Sequence, residues 1–97
     1  MLLPIKISPN ALEQIKIISQ TKGITPDMGL RIGVRGSGCS GTSFMIGFDE
    51  KKDSDVEYLQ EGLKILIEKK HFLYLTGMLL DFVDNQTQKG FTFVPNS

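Results

Sequence analysis

Hydrophobic and polar residues recur with two different periods along the chain, and the first segment has the period of a helix. Ser8 and Pro9 are a helix-start signal, because serine accepts a hydrogen bond from a free backbone N–H and proline fits the first helical turn. The apolar residues that follow at helical spacing are Ala11, Leu12, Ile15 and Ile18. The pattern predicts a helix over residues 9–22 that covers a core and stops at Gly23.

The remaining apolar segments mostly alternate with a period of two, which is typical of half-buried strands. They are residues 30–35, 43–48, 56–60, 63–67, 78–83 and 91–94. Glu61 and Gly62 have the turn chemistry of a hairpin between the third and fourth strands. The pattern of residues 69–77 predicts a short helix that ends at Gly77. The order of elements predicts an α+β fold, with small antiparallel or mixed sheets covered by helices.

Composition narrows the classes of protein that fit. The chain has 97 residues, 40% of them hydrophobic, which suits one globular domain. Its formal net charge of zero argues against a nucleic-acid-binding surface, which needs clustered Lys and Arg. We find no signal peptide and no apolar run of membrane-spanning length, and a lone cysteine cannot form an internal disulfide. A reducing cytoplasm is therefore the expected location, with no membrane partner.

Most charged and titratable side chains are expected to be solvated. The acidic run at residues 49–55 is predicted to be a surface turn, because it lacks the ligand spacing of a calcium loop. His71, the only histidine, is predicted to be a surface residue on the outer side of the short helix. A Cys-His catalytic dyad therefore has little support, and we expect no enzymatic activity.

The cysteine loop, residues 35–41 with the sequence RGSGCSG, is the segment whose residues most favour a functional site. It places Cys39 among small residues between the strands 30–35 and 43–48. Its glycines satisfy G-x-G-x-x-G literally, but a dinucleotide site needs a helix after the loop, and here a strand follows. Two interpretations of Cys39 remain open at this point: a small residue that fills a tight corner, or a metal ligand.

Metal binding through Cys39 requires other ligands. A thiolate is a soft ligand that suits iron or an iron-sulfur cluster, and a glycine-rich loop lets such a group approach the backbone. An iron-sulfur cluster is usually held by four cysteines, so a single thiol must share the site. The additional ligands would come from another subunit, a partner protein or a small thiol such as glutathione.

The sequence LRIGVRGSGCSGTSFMIGF at residues 30–48 resembles the A-type iron-sulfur cluster carrier family, also called HesB-like or IscA-like. The pieces EGLKILI, LTGMLLDFV and GFTFVPN resemble later parts of the family pattern in the same order. The resemblance implies one HesB-like domain over residues 1–97. Its implied fold is α+β, with two small mixed sheets in a distorted sandwich, an N-terminal helix and a second short helix.

The resemblance also implies a function. Family members bind iron or a [2Fe-2S] cluster through the loop cysteine and a Cys-Gly-Cys tail, and they pass clusters to apo-proteins. The present sequence ends at Pro95, Asn96 and Ser97, so only Cys39 matches a family ligand. The expected function is that of a diverged cluster assembly or carrier protein, with Cys39 as the cofactor and metal ligand. A homodimer is the expected state, with other assembly proteins or apo-protein clients as partners.

Two alternatives come from other classes of protein. One is an interaction or regulatory paralogue that binds true carriers without holding a cluster itself. The other is a thiol-based redox sensor, which requires an exposed and reactive Cys39.

Overall fold

The computed structural model describes residues 3–25, 27–35 and 43–95. The chain forms two compact units: a four-stranded unit within residues 25–75, and a three-stranded unit made of residues 3–24 with residues from 76 onward. In chain order the elements are β1 (Lys6–Ile7), α1 (Pro9–Thr21), β2 (Met28–Arg35), β3 (Ser43–Glu50), β4 (Asp55–Gln60), β5 (Leu63–Glu68), a 3-10 helix (Lys69–His71), α2 (Phe72–Leu75), β6 (Met78–Asp84) and β7 (Lys89–Pro95).

Helix α1 in the three-stranded unit begins where the sequence predicts. The Ala11 backbone N–H donates to Ser8 Oγ at 3.1 Å, and Pro9 occupies the first turn. The helix ends one residue before the predicted end, and Gly23 follows with a φ of 64°. A left-handed residue after a helix is a common stop, and glycine adopts it without steric cost.

The sheet of the three-stranded unit has the order β1-β6-β7. Strand β1 runs parallel to β6, whereas β7 is antiparallel to β6. Its buried apolar side chains, together with those of α1, are Ile5, Ile7, Ala11, Leu12, Ile15 and Leu80. The prediction omitted β1, because two residues are too short to display an alternating pattern.

The four-stranded unit has the strand order β3-β2-β5-β4. The pairs β2–β3 and β4–β5 are antiparallel neighbours in sequence, and β2–β5 is a parallel pairing that joins them. Its buried apolar side chains are Leu30, Ile32, Tyr58, Leu63, Ile65, Leu66, Ile67 and Leu75. Each unit therefore contains a small mixed sheet, and the predicted α+β class with two helices and two mixed sheets is confirmed.

The predicted hairpin between β4 and β5 is also confirmed. Glu61 and Gly62 both have positive φ, at 48° and 83°, between the paired residues Gln60 and Leu63. Positive φ at both central residues is the requirement of a type I′ turn, whose twist matches that of the flanking strands.

Candidate functional site

The candidate site is built on the hairpin formed by β2 and β3. The ladder runs from Met28↔Glu50 to Arg35↔Ser43, so the last residue of β2 lies opposite the first residue of β3. Residues 36–42, with Cys39 at their centre, connect the strands. Cys39 lies outside the described residues, and its predicted role as cofactor and metal ligand stays a prediction.

The hairpin extends past the rest of its sheet. Strand β2 pairs with β5 only over Leu30–Ile32, whereas its pairing with β3 continues to Arg35. Beyond Ile32, β2 therefore has a ladder partner on one side only within the described part of the chain. The segments 33–35 and 43–45 form a two-stranded ribbon, and we call them the ribbon below.

His71 packs against this ribbon. A Cβ built on Gly33 would lie 2.9 Å from His71 Nδ1, which is closer than real Cβ atoms come, and 3.2 Å from His71 Cε1. The His71 side chain is only 16% exposed. The prediction of a surface histidine is therefore wrong, because the 3-10 helix turns the side chain onto β2. The signal in the sequence was Gly33, since a glycine inside a strand often marks a close approach.

The two ring nitrogens of His71 have different surroundings. Nε2 lies 3.7 Å from Glu68 Oε2, and Glu68 Oε1 lies 3.8 Å from Lys70 Nζ. Nδ1 is buried and has no hydrogen-bond partner among the described residues.

An ion-pair network stabilises the same strand at Arg31, on the same face as Gly33. Arg31 Nη1 and Nη2 donate to the two carboxylate oxygens of Asp55 at 2.7 and 2.6 Å. Arg31 Nε also donates to Asp49 Oδ2 at 3.2 Å. The hydrogen bond from Arg31 lowers the pKa of Asp55 and, reciprocally, raises the pKa of Arg31. The hydrogen bond from Lys52 lowers the pKa of Asp49.

This network corrects the prediction of a solvated turn at residues 49–55. Asp55 is only 4% exposed, and it also accepts a hydrogen bond from the Lys52 backbone N–H at 2.8 Å. Sequence reasoning missed the network because Arg31 and Asp55 are 24 residues apart in the chain and become neighbours only when β5 pairs with both β2 and β4.

The described part of the chain has neither a clustered metal site nor a membrane-spanning helix. Within residues 3–25, 27–35 and 43–95, no three or more His, Cys, Asp or Glu residues are grouped so that they could hold a metal ion. Among those residues, no helix has the length and apolar character needed to cross a membrane.

A groove in the three-stranded unit has a volume of about 340 Å³ and lies where α1 meets β6. The side chains of Glu13, Phe82 and Asp84 contribute to its lining. None of its lining residues is a cysteine or a histidine, so it contains no residue that the sequence proposed as a ligand.

Comparison with known proteins identifies the family. Residues 3–96 match the family model described as iron-sulphur cluster biosynthesis. The iron-binding protein IscA of Yersinia enterocolitica is 38% identical over 92 residues, which cover 94% of this chain and 84% of the relative. IscA of Yersinia pestis matches with the same identity and coverage.

Solved structures agree on the fold. A protein from Aquifex aeolicus, solved by NMR, is 32% identical with a TM-score of 0.70, covering 96% of this chain and 92% of its own. SufA of Escherichia coli, involved in biosynthesis of iron-sulfur clusters, has a TM-score of 0.75 at 22% identity, over 94% and 79% of the two chains. IscA with its [2Fe-2S] cluster has a TM-score of 0.71 at 21% identity, over 94% and 81%. The family match, which spans both units, establishes that the chain belongs to the iron-sulphur cluster biosynthesis family.

Proposed function

We propose that this chain takes part in iron-sulfur cluster assembly by carrying iron or a [2Fe-2S] cluster as cargo, with Cys39 as its thiolate ligand. The observation that carries the proposal is the β2–β3 hairpin, because residues 36–42 connect its strands and Cys39 is the middle one. The family match supports the cargo, and the IscA relatives are iron-binding proteins by name. The proposed role is transfer of cargo, and it assigns no catalytic step to the chain.

The number of ligands determines how the cargo is held. These 97 residues contain one cysteine, and clusters are usually held by four ligands. We propose that the other ligands come from outside these residues: from a second copy in a homodimer, from an assembly protein or apo-protein client, or from glutathione. A two-fold interface repeats each surface, so a homodimer would contribute two Cys39 thiols. A free thiol of this kind suits the reducing cytoplasm.

The test is anaerobic reconstitution with ferrous iron and sulfide, with glutathione present, for the wild type and Cys39→Ser. We expect visible absorption and bound iron in the wild type and their loss in Cys39→Ser. Ser40→Ala is the matched control, because it changes the neighbouring residue and keeps the thiol. Equal iron content in the wild type and Cys39→Ser would contradict the proposal.

The second candidate is an interaction paralogue that binds a carrier without holding a cluster, and exposed apolar side chains favour it. Leu73 and Tyr74 of α2 are 89% and 54% exposed. Large apolar side chains at the surface are typical of protein contacts when they are adjacent. The second candidate predicts that a family member with the Cys-Gly-Cys tail co-elutes with this chain and that Leu73→Ser abolishes co-elution. Cys39-dependent iron binding without co-elution would exclude it.

A further inference from the structure

Helix α2 has an inner side that packs and an outer side that does not. On the inner side, Leu75 is fully buried and the ring of Phe72 lies 6.2 Å from that of Tyr58. On the outer side, Leu73 and Tyr74 are largely exposed. Large apolar side chains that are adjacent and exposed are typical of an interface. The outer side of α2 therefore has the character of a contact surface.

Two lysines give this surface a positive charge. Lys69 and Lys70 belong to the 3-10 helix that leads into α2, four residues before Leu73 and Tyr74. Both lysines are exposed, and Lys70 Nζ lies 3.8 Å from Glu68 Oε1, which is too far for a hydrogen bond. We call Lys69, Lys70, Leu73 and Tyr74 the α2 patch. Its complement is an apolar wall with negative charge beside it.

The groove between α1 and β6 has that shape and composition. Its lining residues are Asn10, Glu13, Gln14, Ile17, Phe82 and Asp84. Phe82 is held in place by Phe91, with the two ring centroids 5.0 Å apart in an edge-on arrangement. Ile17 is 47% exposed and completes an apolar wall. The volume of about 340 Å³ is at the small end of the range for binding pockets, about 300–1,000 Å³.

The two carboxylates of the groove have no countercharge. Glu13 and Asp84 are both exposed, and within the described part of the chain neither is in an ion pair. Lys89 is opposite Asp84 in the β6–β7 ladder, yet no ion pair joins them. The groove therefore combines unpaired negative charge with an exposed apolar wall.

We propose that the α2 patch of one copy of this chain binds the groove of a second copy. The apolar side chains of the patch pack on the apolar wall, and its lysines pair with the two carboxylates, because complementary potentials favour one partner over others. The formal net charge of zero leaves no overall repulsion between copies. The contact joins two different surfaces, in contrast to a two-fold interface that repeats one.

The contact is independent of the cargo, because neither surface contains Cys39. It is also small, since four side chains meet one groove, and small interfaces are weak and transient. Self-association should therefore appear at high protein concentration and weaken with added salt, which screens the exposed charges.

The test is sedimentation velocity of the reduced, metal-free chain at concentrations up to about 1 mM, where weak contacts are populated. Leu73→Ser impairs the patch, and Glu13→Lys combined with Asp84→Lys impairs the groove. We expect the wild type to associate as its concentration rises and each variant to associate at least about tenfold more weakly. An equimolar mixture of the two variants should associate again, because each supplies the surface that the other lacks.

Two controls match these substitutions outside the contact. Leu59→Ser removes a leucine of β4 that is 75% exposed, and Glu57→Lys reverses an exposed charge in the same strand. Both should associate as the wild type does, and circular dichroism verifies that every variant is folded. A chain in which both lysines of the patch and both carboxylates of the groove are reversed together should also associate, since the charges attract again.

The proposal is overturned if the wild type keeps one molecular size at every concentration, if the mixed variants do not associate, or if the controls weaken association equally. A chain that does not self-associate but binds a family member with the Cys-Gly-Cys tail through Leu73 would also overturn it and would support the interaction paralogue.

Cys39→Ser keeps this contact separate from the proposed function. Self-association should be unchanged in Cys39→Ser, and iron binding should be unchanged in Leu73→Ser. Association that requires Cys39 would reject the contact between patch and groove. Association that persists in a chain without Cys39-dependent iron binding would support the contact and reject the cargo role alone.

Discussion

At the scale of single residues, Arg31 and Asp55 form an ion pair that is largely removed from solvent in the four-stranded unit. The Asp55 side chain is fully inaccessible to solvent, and that of Arg31 is 17% exposed. Moving charged groups out of water is unfavourable unless each finds a partner with good geometry. The paired hydrogen bonds of 2.7 and 2.6 Å supply that geometry and hold β4, β5 and β2 in one arrangement.

We predict that Asp55→Asn lowers the free energy of unfolding by about 3–5 kcal/mol, because it leaves a largely buried guanidinium without its main countercharge. Urea unfolding at pH 7 measures the change. Asp53→Asn is the matched control in the same turn, where the side chain is exposed, and it should change stability by less than about 0.5 kcal/mol. A variant Asp55→Asn as stable as the wild type would show that Asp49 alone satisfies Arg31.

The same pair predicts a pH dependence. Its hydrogen bond from Arg31 lowers the pKa of Asp55 in the folded protein, below the usual value of about 3.9. The stability from this carboxylate is therefore complete above about pH 5 and is lost as the pH falls through the folded pKa. We expect wild-type stability to fall more steeply than that of Asp55→Asn below about pH 5. Parallel urea curves for the two proteins over this range would refute the assignment.

At the scale of elements, the β4–β5 turn contains a residue in an unfavourable conformation. Glu61 has a φ of 48°, in the left-handed region that residues other than Gly, Asn and Asp seldom adopt. Gly62 has a φ of 83°, and a Cβ added there would meet no described atom within 4 Å. Only the backbone conformation of Gly62 therefore demands glycine.

We predict that Glu61→Asn stabilises the protein by about 0.5 kcal/mol, because Asn-Gly is the preferred pair of a type I′ turn. Gly62→Ala should destabilise it by about 1 kcal/mol, since alanine in the left-handed region is strained. Thermal unfolding of both variants beside the wild type measures the two effects, whose opposite signs serve as an internal control. Destabilisation by both substitutions would mean that the Glu61 side chain makes a contact that outweighs its strain.

Helix α1 illustrates an element whose position depends on a distant partner as well as on its own sequence. Ser8 Oγ accepts from the Ala11 N–H and donates to Asp81 Oδ1 at 2.6 Å. Its backbone N–H donates to the Leu80 carbonyl at 2.9 Å. The local sequence predicts the cap, whereas only the tertiary structure shows that the same serine ties α1 to β6.

At the scale of the whole molecule, the chain contains two compact units, and the property to be tested is whether residues 1–97 unfold together as one domain. The family model spans residues 3–96 and so includes both units. The single-domain prediction from sequence has not been tested, and the positions of the tyrosines provide a test. Tyr58 and Tyr74, the chain's only two tyrosines, lie in the four-stranded unit, whereas the long helix α1 lies in the three-stranded unit.

We predict that tyrosine fluorescence and circular dichroism at 222 nm report a single coincident unfolding transition, as expected for one cooperative domain. Ser8→Ala, which changes only the three-stranded unit, should shift the fluorescence transition to the same extent as the helical signal. Two separated midpoints, or a shift confined to the helical signal, would divide the chain into two independently folding domains.

Local patterns predicted most of the fold. The helix start at Ser8, the turn at Glu61 and Gly62 and the β2–β3 hairpin are determined by residues close together in sequence. The parallel pairings of β2 with β5 and of β1 with β6 could not be predicted, because they join segments without a shared turn. The same holds for the candidate site. The sequence alone singles out Cys39, whereas the packing of His71 on Gly33 is seen only in the tertiary structure.

The sequence by itself determined the class of the fold, the start of helix α1, the turn at Glu61 and Gly62, and the position of the lone thiol between two strands. These properties depend on side-chain periodicity and turn chemistry, which act over a few residues. Only the tertiary structure decided that His71 packs on Gly33 and that Asp55 is buried against Arg31. Both contacts depend on which strands become neighbours, and that choice is made by burial and pairing summed over a whole unit.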